Sequence, residues 1–211
     1  MKAPDRLIIF TRYPVPGEAK TRLIPALGAK GAARLQRALT EHTVAEARQF
    51  LKRSGRTKLE ICFSGGSTAD MRHWLGDMSF HRQTEGDIGE RMKKALSRAF
   101  QQGAGGAVLI GSDIPGLNGA YLQQAFGCLA EYEVVLGPSL DGGYYLVGLG
   151  CDRAEMLLPV LFDGMTWSTG TVFRTTQQRL QRARARVAEL PVLQDIDTPD
   201  DLDTMAERGW F

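Results

Sequence analysis

The chain has 211 residues and a mass of 23.2 kDa, enough for a full hydrophobic core without disulfides or a structural metal. With 43% hydrophobic and 24% charged residues it is not a disordered chain. Its 26 Lys and Arg against 24 Asp and Glu leave +2, too little to draw it to nucleic acid or to a membrane surface. Cys62, Cys128 and Cys151 are scattered and form no Cys-x-x-Cys pair, which disfavours both a disulfide framework and a cysteine zinc site. The N-terminus has no apolar signal core, and no segment approaches the roughly 18 apolar residues of a membrane span. A cytoplasmic protein is the expectation.

Residues 7–10 (Leu-Ile-Ile-Phe) are an unbroken apolar run, as in a strand covered on both faces. After a Pro- and Gly-rich loop, Leu35, Leu39, Thr43, Ala47 and Phe50 recur at helical spacing, and Ser54-Gly55 ends that helix. Residues 59–63 predict the next strand and residues 80–83 a short one. Met92, Ala95, Leu96, Ala99 and Phe100 form a helical stripe with Asp87 near its start and Gly103 at its end. Residues 107–110 read as another buried strand. Asn118 is the expected cap of a helix carrying Leu122, Phe126 and Leu129. Residues 134–136 and 144–147 are strands around a loop with an Asp-Gly turn signal. Ser168 is the expected cap of a helix running to about Ala185. A last strand at residues 187–193 precedes a helix opened by Thr198-Pro199 with acids in its first turn. Trp210-Phe211 offers a terminal apolar pair for the domain or for a second subunit; the sequence leaves the oligomeric state open. The alternation predicts one α/β domain over residues 1–211, Rossmann-like, with a mainly parallel mixed sheet flanked by helices. Ligands of such sheets sit beyond the carboxyl ends of the strands.

The chain contains no G-x-x-x-x-G-K-S/T, no G-x-G-x-x-G between strand and helix, no G-x-S-x-G and no H-E-x-x-H. Its three histidines, His42, His73 and His81, are not paired at ligand spacing and read as surface or half-buried residues. Arg174, Arg179, Arg182, Arg184 and Arg186 read as a solvated basic face, since no stacking aromatics accompany them.

Three loops after strands carry chemistry. In residues 11–23 prolines and Gly17 shape a loop that presents Arg12, Lys20 and Arg22, three cations suited to phosphate oxygens or simply to solvent. Asp113 follows a buried strand directly; it is either a hard oxygen ligand for Mg²⁺ or a turn aspartate before Pro115. In residues 137–145 Asp141 stands before Gly142-Gly143, where it orients a hydroxyl or acts as a base, or belongs to a plain hairpin. Asp197 precedes a helix, as its cap or as a second metal carboxylate. Trp167 is a platform for a sugar or base, or core filling.

Six segments occur in order: residues 10–23, 86–92 (Gly-Asp-Ile-Gly-Glu-Arg-Met), 111–115 (Gly-Ser-Asp-Ile-Pro), 137–145 (Gly-Pro-Ser-Leu-Asp-Gly-Gly-Tyr-Tyr), 167–169 and 195–202. As an ordered set over nearly the whole chain they resemble the nucleotide-diphospho-sugar transferases that include selenodomain-associated and arsenosugar-biosynthesis glycosyltransferases. Through residues 19–23, the Asp-Gly-Gly loop and Asp197-Thr198-Pro199 the chain is also similar to the guanylyltransferase of deazaflavin-cofactor synthesis and to molybdenum-cofactor nucleotidyltransferases. The resemblance implies a glycosyltransferase-A fold, a nucleotide-diphosphate donor and a divalent metal, Mg²⁺ or Mn²⁺. It implies that Arg12, Lys20 and Arg22 lie on the phosphates, that Asp113 holds the metal, and that Asp141, Gly142 and Gly143 face the sugar or acceptor. The family usually has lysine in place of Arg12 and often an acid near His42, so nothing is carried over to that helix.

The expected site therefore comprises Arg12, Pro16, Gly17, Lys20, Arg22, Ser112 and Asp113 around the donor. Asp113 and Asp197 serve the metal, and Asp141, Gly142, Gly143 and Trp167 the substrate, with Lys20, Arg22 and Asp141 catalytic. The expected reaction is metal-assisted glycosyl transfer from a nucleotide-diphosphate sugar to a small acceptor. The alternatives are nucleotidyl transfer from a nucleoside triphosphate to a small phosphorylated acceptor, and a nucleotide-binding module without catalysis. Neither nucleic acid nor membrane is an expected partner.

Overall fold

The computed structural model describes residues 3–207, so Trp210 and Phe211 lie outside the described residues. Seven strands form one sheet: β1 (Asp5–Arg12), β2 (Thr57–Ser64), β3 (Ser79–Arg82), β4 (Gly106–Gly111), β5 (Val134–Pro138), β6 (Tyr144–Gly150) and β7 (Val187–Glu189). Their order is β3-β2-β1-β4-β6-β5-β7. All neighbours are parallel except β6, which runs antiparallel to both β4 and β5. The mixed, mainly parallel α/β sheet expected from the alternation is the one observed.

Parallel neighbours cannot be joined by a tight turn. The chain returns through α1 (Ile24–Ser54), α2 (Thr68–Leu75), α3 (Ile88–Gln101), α4 (Gly119–Cys128), α5 (Ala154–Phe162) and α6 (Val172–Arg182), and α7 (Pro199–Glu207) follows the last strand. Strand β1 lies near the middle, and its side chains alternate between two cores. Leu7 and Ile9 pack with Val44 and Phe50 of α1, Met71 of α2 and Leu122 of α4. Ile8 and Phe10 pack with Met92 and Leu96 of α3 and Leu157 of α5. Helices on both faces are why the run in β1 is apolar at every position, and each such side chain contributes about 1.5–3 kcal/mol on burial. A third, smaller core joins Leu23, Leu35 and Leu39 to Ile196, and so ties the loop after β1 to the loop after β7.

Several elements differ from expectation. Helix α6 begins at Val172 after Thr171, not at Ser168, and ends at Arg182 rather than near Ala185. Ser168 has a left-handed backbone (φ 59), incompatible with an extended N-cap. Strand β7 stops at Glu189, two residues before Pro191. Helix α2, not among the expected elements, opens on a capping box of Ser67 and Asp70. Helix α5 presents no stripe in the sequence, because nearly all of its residues are apolar and Pro159 lies inside it. Arg179 is not a solvated cation: its guanidinium donates to the carbonyls of Asp163 and Gly164, both at 2.6 Å, and closes the end of α5.

Candidate active site

The carboxyl ends of β1 and β4 lie side by side, and the loop after β7 is drawn to the same edge by the Ile196 N–H, which donates to the Asp113 carbonyl at 3.0 Å. In the loop after β1, Val15–Glu18 is a turn closed by the Glu18 N–H on the Val15 carbonyl, with Pro16 and then Gly17 (φ 89) at its centre. That pairing of Pro with a positive-φ Gly is the requirement of a type II turn. The turn sends Lys20, itself left-handed (φ 48), back into the sheet edge. Pro16 and Gly17 aim the loop and line neither of the two cavities at this edge.

Lys20 is the centre of the site. Its Nζ donates to the Ile196 carbonyl at 2.5 Å, to Asp197 Oδ1 at 3.1 Å and to Asp113 Oδ2 at 3.3 Å. The side chain is only 5% exposed. Burial by itself pulls an ammonium pKa down, but the charges of Asp113 and Asp197 outweigh it and hold Lys20 above the usual lysine range. Arg22 Nη1 donates to the other oxygen of Asp197 at 3.0 Å, while Arg12 Nη1 donates to the Glu18 carbonyl at 3.0 Å and stays exposed.

Asp197 does not cap α7. Asp201, in the first turn, accepts from the Asp197 and Thr198 N–H groups and from the Thr198 hydroxyl, and so does the capping. The Asp197 carboxylate is thereby left to the cations. Ser112 is buried in a polar network: its hydroxyl donates to Thr11 Oγ1 at 2.9 Å, and Gln36 Nε2 reaches Thr11, Thr40 and Ser112. It shapes the floor under the site.

Two cavities open at this edge. The first, about 470 Å³, is lined by Arg12, Lys20, Arg22 and Arg91, with Gln36, Gln83 and Ser112 in its wall. The second, about 390 Å³, runs along β6 and is lined by Asp141, Gly143, Tyr144, Trp167 and Asp195. Asp113, Asp197, Gly111, Ile88 and Phe10 belong to both, so the two carboxylates stand where the cavities meet.

Asp141 accepts from the Ser139 hydroxyl and from the Gly143 N–H at 2.8 Å, as in a hairpin turn, yet its exposed carboxylate also faces the second cavity. Gly142 serves packing instead: it has φ 84, and a Cβ there would lie 2.2 Å from the Gly170 carbonyl oxygen. Trp167 stacks on Phe162 and meets Tyr144 edge-on, combining a core contact with a place in the cavity wall.

Three residues of the site carried no role in the sequence reading. Arg91 lies in the quoted segment 86–92, Gln36 is a polar residue on the buried side of α1, and Asp195 was passed over for Asp197. Asp195 is half-buried, and burial, with the charges of Asp141 and Asp113 next, pushes its carboxyl up to about 6. Among the described residues no histidine lines either cavity.

Asp113 and Asp197 converge on one buried ammonium, so their oxygens already embrace a cation. Among the described residues no group of three or more His, Cys, Asp or Glu is placed to hold a metal. Two carboxylates suit Mg²⁺ or Mn²⁺ that completes its shell with water and substrate phosphates, and the residues fit such an ion.

Residues 43–169 match the model of a family described as an uncharacterized protein conserved in bacteria, DUF2064. Among solved structures, an inferred nucleotide-diphospho-sugar transferase from Desulfovibrio desulfuricans G20 is 37% identical, with a TM-score of 0.85 over 96% of this chain and 86% of that one. Rv0371c of Mycobacterium tuberculosis H37Rv, in complex with manganese, is 19% identical, with a TM-score of 0.59 over 96% of this chain and 98% of that one. A nucleotidyl transferase from Methanothermobacter is 13% identical, with a TM-score of 0.66 over 97% of each chain. The last two likenesses concern the fold. No curated protein matches the chain.

Proposed function

The chain belongs to the DUF2064 family, and from that premise we propose that it is a transferase that moves a glycosyl group from a nucleotide-diphosphate sugar to a small acceptor. The observation that carries this reading is the pair of cavities joined at Asp113 and Asp197, one lined by four cations and the other by aromatics and carboxylates. The donor's diphosphate lies in the cationic cavity against Arg12, Lys20, Arg22 and Arg91, whose fixed charges match phosphate oxygens. Asp113 and Asp197 would hold Mg²⁺ or Mn²⁺, which neutralises negative charge growing on the diphosphate. As the bond from sugar to diphosphate oxygen breaks, Lys20 and Arg22 stabilise the departing charge. The new bond forms to an acceptor hydroxyl in the second cavity, and its proton passes to Asp141. The likeness of the D. desulfuricans protein supports sugar transfer, and the cationic cavity alone also suits a nucleoside triphosphate.

Thermal shift with UDP-, GDP- and CDP-linked sugars and with GTP and CTP, each with and without Mg²⁺ or Mn²⁺, tests the reading. Ligand at 100 times its Kd adds about 2.7 kcal/mol. Metal-dependent stabilisation by a nucleotide sugar supports it; stabilisation by triphosphates alone replaces it with nucleotidyl transfer. No shift with any of them refutes both.

A further inference from the structure

The two cavities differ in charge as sharply as they differ in shape. Four cations line the first; among the described residues not one Lys, Arg or His lines the second. Asp113, Asp141, Asp195 and Asp197 do. Lys20 and Arg22 offset Asp113 and Asp197 from the far side, and a metal ion there would do the same. Asp141 and Asp195 have no cationic partner among the described residues. Much of the remaining wall is apolar and aromatic, with Tyr144, Leu146, Val147, Val172 and Trp167, beside the hydroxyls of Ser139, Ser168 and Thr169. Among the described residues the Tyr144 hydroxyl and the Trp167 indole N–H, at the back of that wall, are buried without a hydrogen-bond partner, a cost of about 1–3 kcal/mol each.

We propose that the second cavity admits an acceptor that carries no anionic group: a hydroxyl-bearing molecule, neutral or cationic, with an apolar face for Trp167 and Tyr144. A phosphorylated or carboxylated acceptor would bring its charge against Asp141 and Asp195 with no cation among the described lining residues to pair it, at close range and partly out of water. The inference deepens the transferase reading and rests on it for the word acceptor; the selection of ligand by charge belongs to the cavity itself.

Trp167 reports that charge directly. In a Trp74→Phe, Trp210→Phe background, its fluorescence is quenched with caesium, iodide and neutral acrylamide at constant ionic strength, each normalised to a free indole. Caesium should exceed iodide by about threefold or more, because the local potential concentrates cations. Asp141→Asn combined with Asp195→Asn should bring the ratio close to one, and Ser168→Lys at the rim should lower it with both carboxylates intact. An unchanged emission maximum shows that each variant keeps the fold around Trp167. Iodide quenching equal to or above that of caesium overturns the proposal. Because no nucleotide is present, this result is independent of the donor-binding test.

Discussion

Lys20 Nζ lies 3.1 Å from Asp197 Oδ1, although 177 residues separate them. The pair joins the loop after β1 to the loop after β7, and with Asp113 it places one buried cation between two carboxylates. A salt bridge whose ammonium is buried stabilises little in net terms, but removing its partners leaves unpaired charge.

Lys20→Met therefore has a two-part outcome. Without metal the variant loses about 1–3 kcal/mol at neutral pH, since Asp113 and Asp197 repel each other without their partner. The same vacancy favours a divalent ion, so the rise in Tm produced by Mn²⁺ alone should exceed that of the wild type. A smaller rise would show that Lys20 does not share its place with a metal.

Asp113→Asn keeps the backbone bond from Ile196 and removes one charge at the junction of the cavities. Circular dichroism and Tm should change little without metal. Metal-dependent stabilisation by a nucleotide sugar, and transfer itself, should fall by more than the 10–100-fold typical of groups behind a metal ligand.

Asp195 gives a pH signature. Its carboxyl is raised to about 6, first by burial and then by Asp141 and Asp113, so the folded state holds its proton more tightly than the unfolded chain. Stability from this group is complete below about pH 4 and is lost as pH rises through 6. Asp195→Asn should therefore be more stable than the wild type above pH 6 by about 1 kcal/mol, after discounting for the solvent that reaches the group, and the gain should vanish near pH 4. Urea unfolding across pH 4–8 in the absence of metal measures it.

Gly89 opens α3 against Trp167: an added Cβ would lie 2.2 Å from the indole nitrogen. Gly89→Ala must displace the ring or the helix, at about 1–3 kcal/mol. Its emission should shift, and the caesium-to-iodide ratio should move toward one. Unaltered stability and emission would mean that the ring has room the structure does not show.

Most of the sheet was legible in the sequence because β1, β2, β4, β5 and β6 contain short apolar runs and α1, α3 and α4 carry periodic stripes, both local signals. The strand order and the reversed β6 follow from contacts between segments far apart in sequence. The roles of individual site residues divide the same way. Arg12, Lys20, Arg22, Asp113 and Asp141 could be picked out as unusual side chains at strand ends. That Asp201 relieves Asp197 of capping, that Gln36 reaches Ser112, and that Gly142 answers to Gly170 depend on partners that no local pattern names.

The opening charge sum shows the division most plainly. By itself the sequence determined a net charge of +2 and with it the lack of a long-range field, because that field depends on the total. Only the tertiary structure decided that four cations line one cavity and that carboxylates without a lining cation rim the next. Within a cleft the interaction of charges falls with distance and with access of water, and the fold alone sets both.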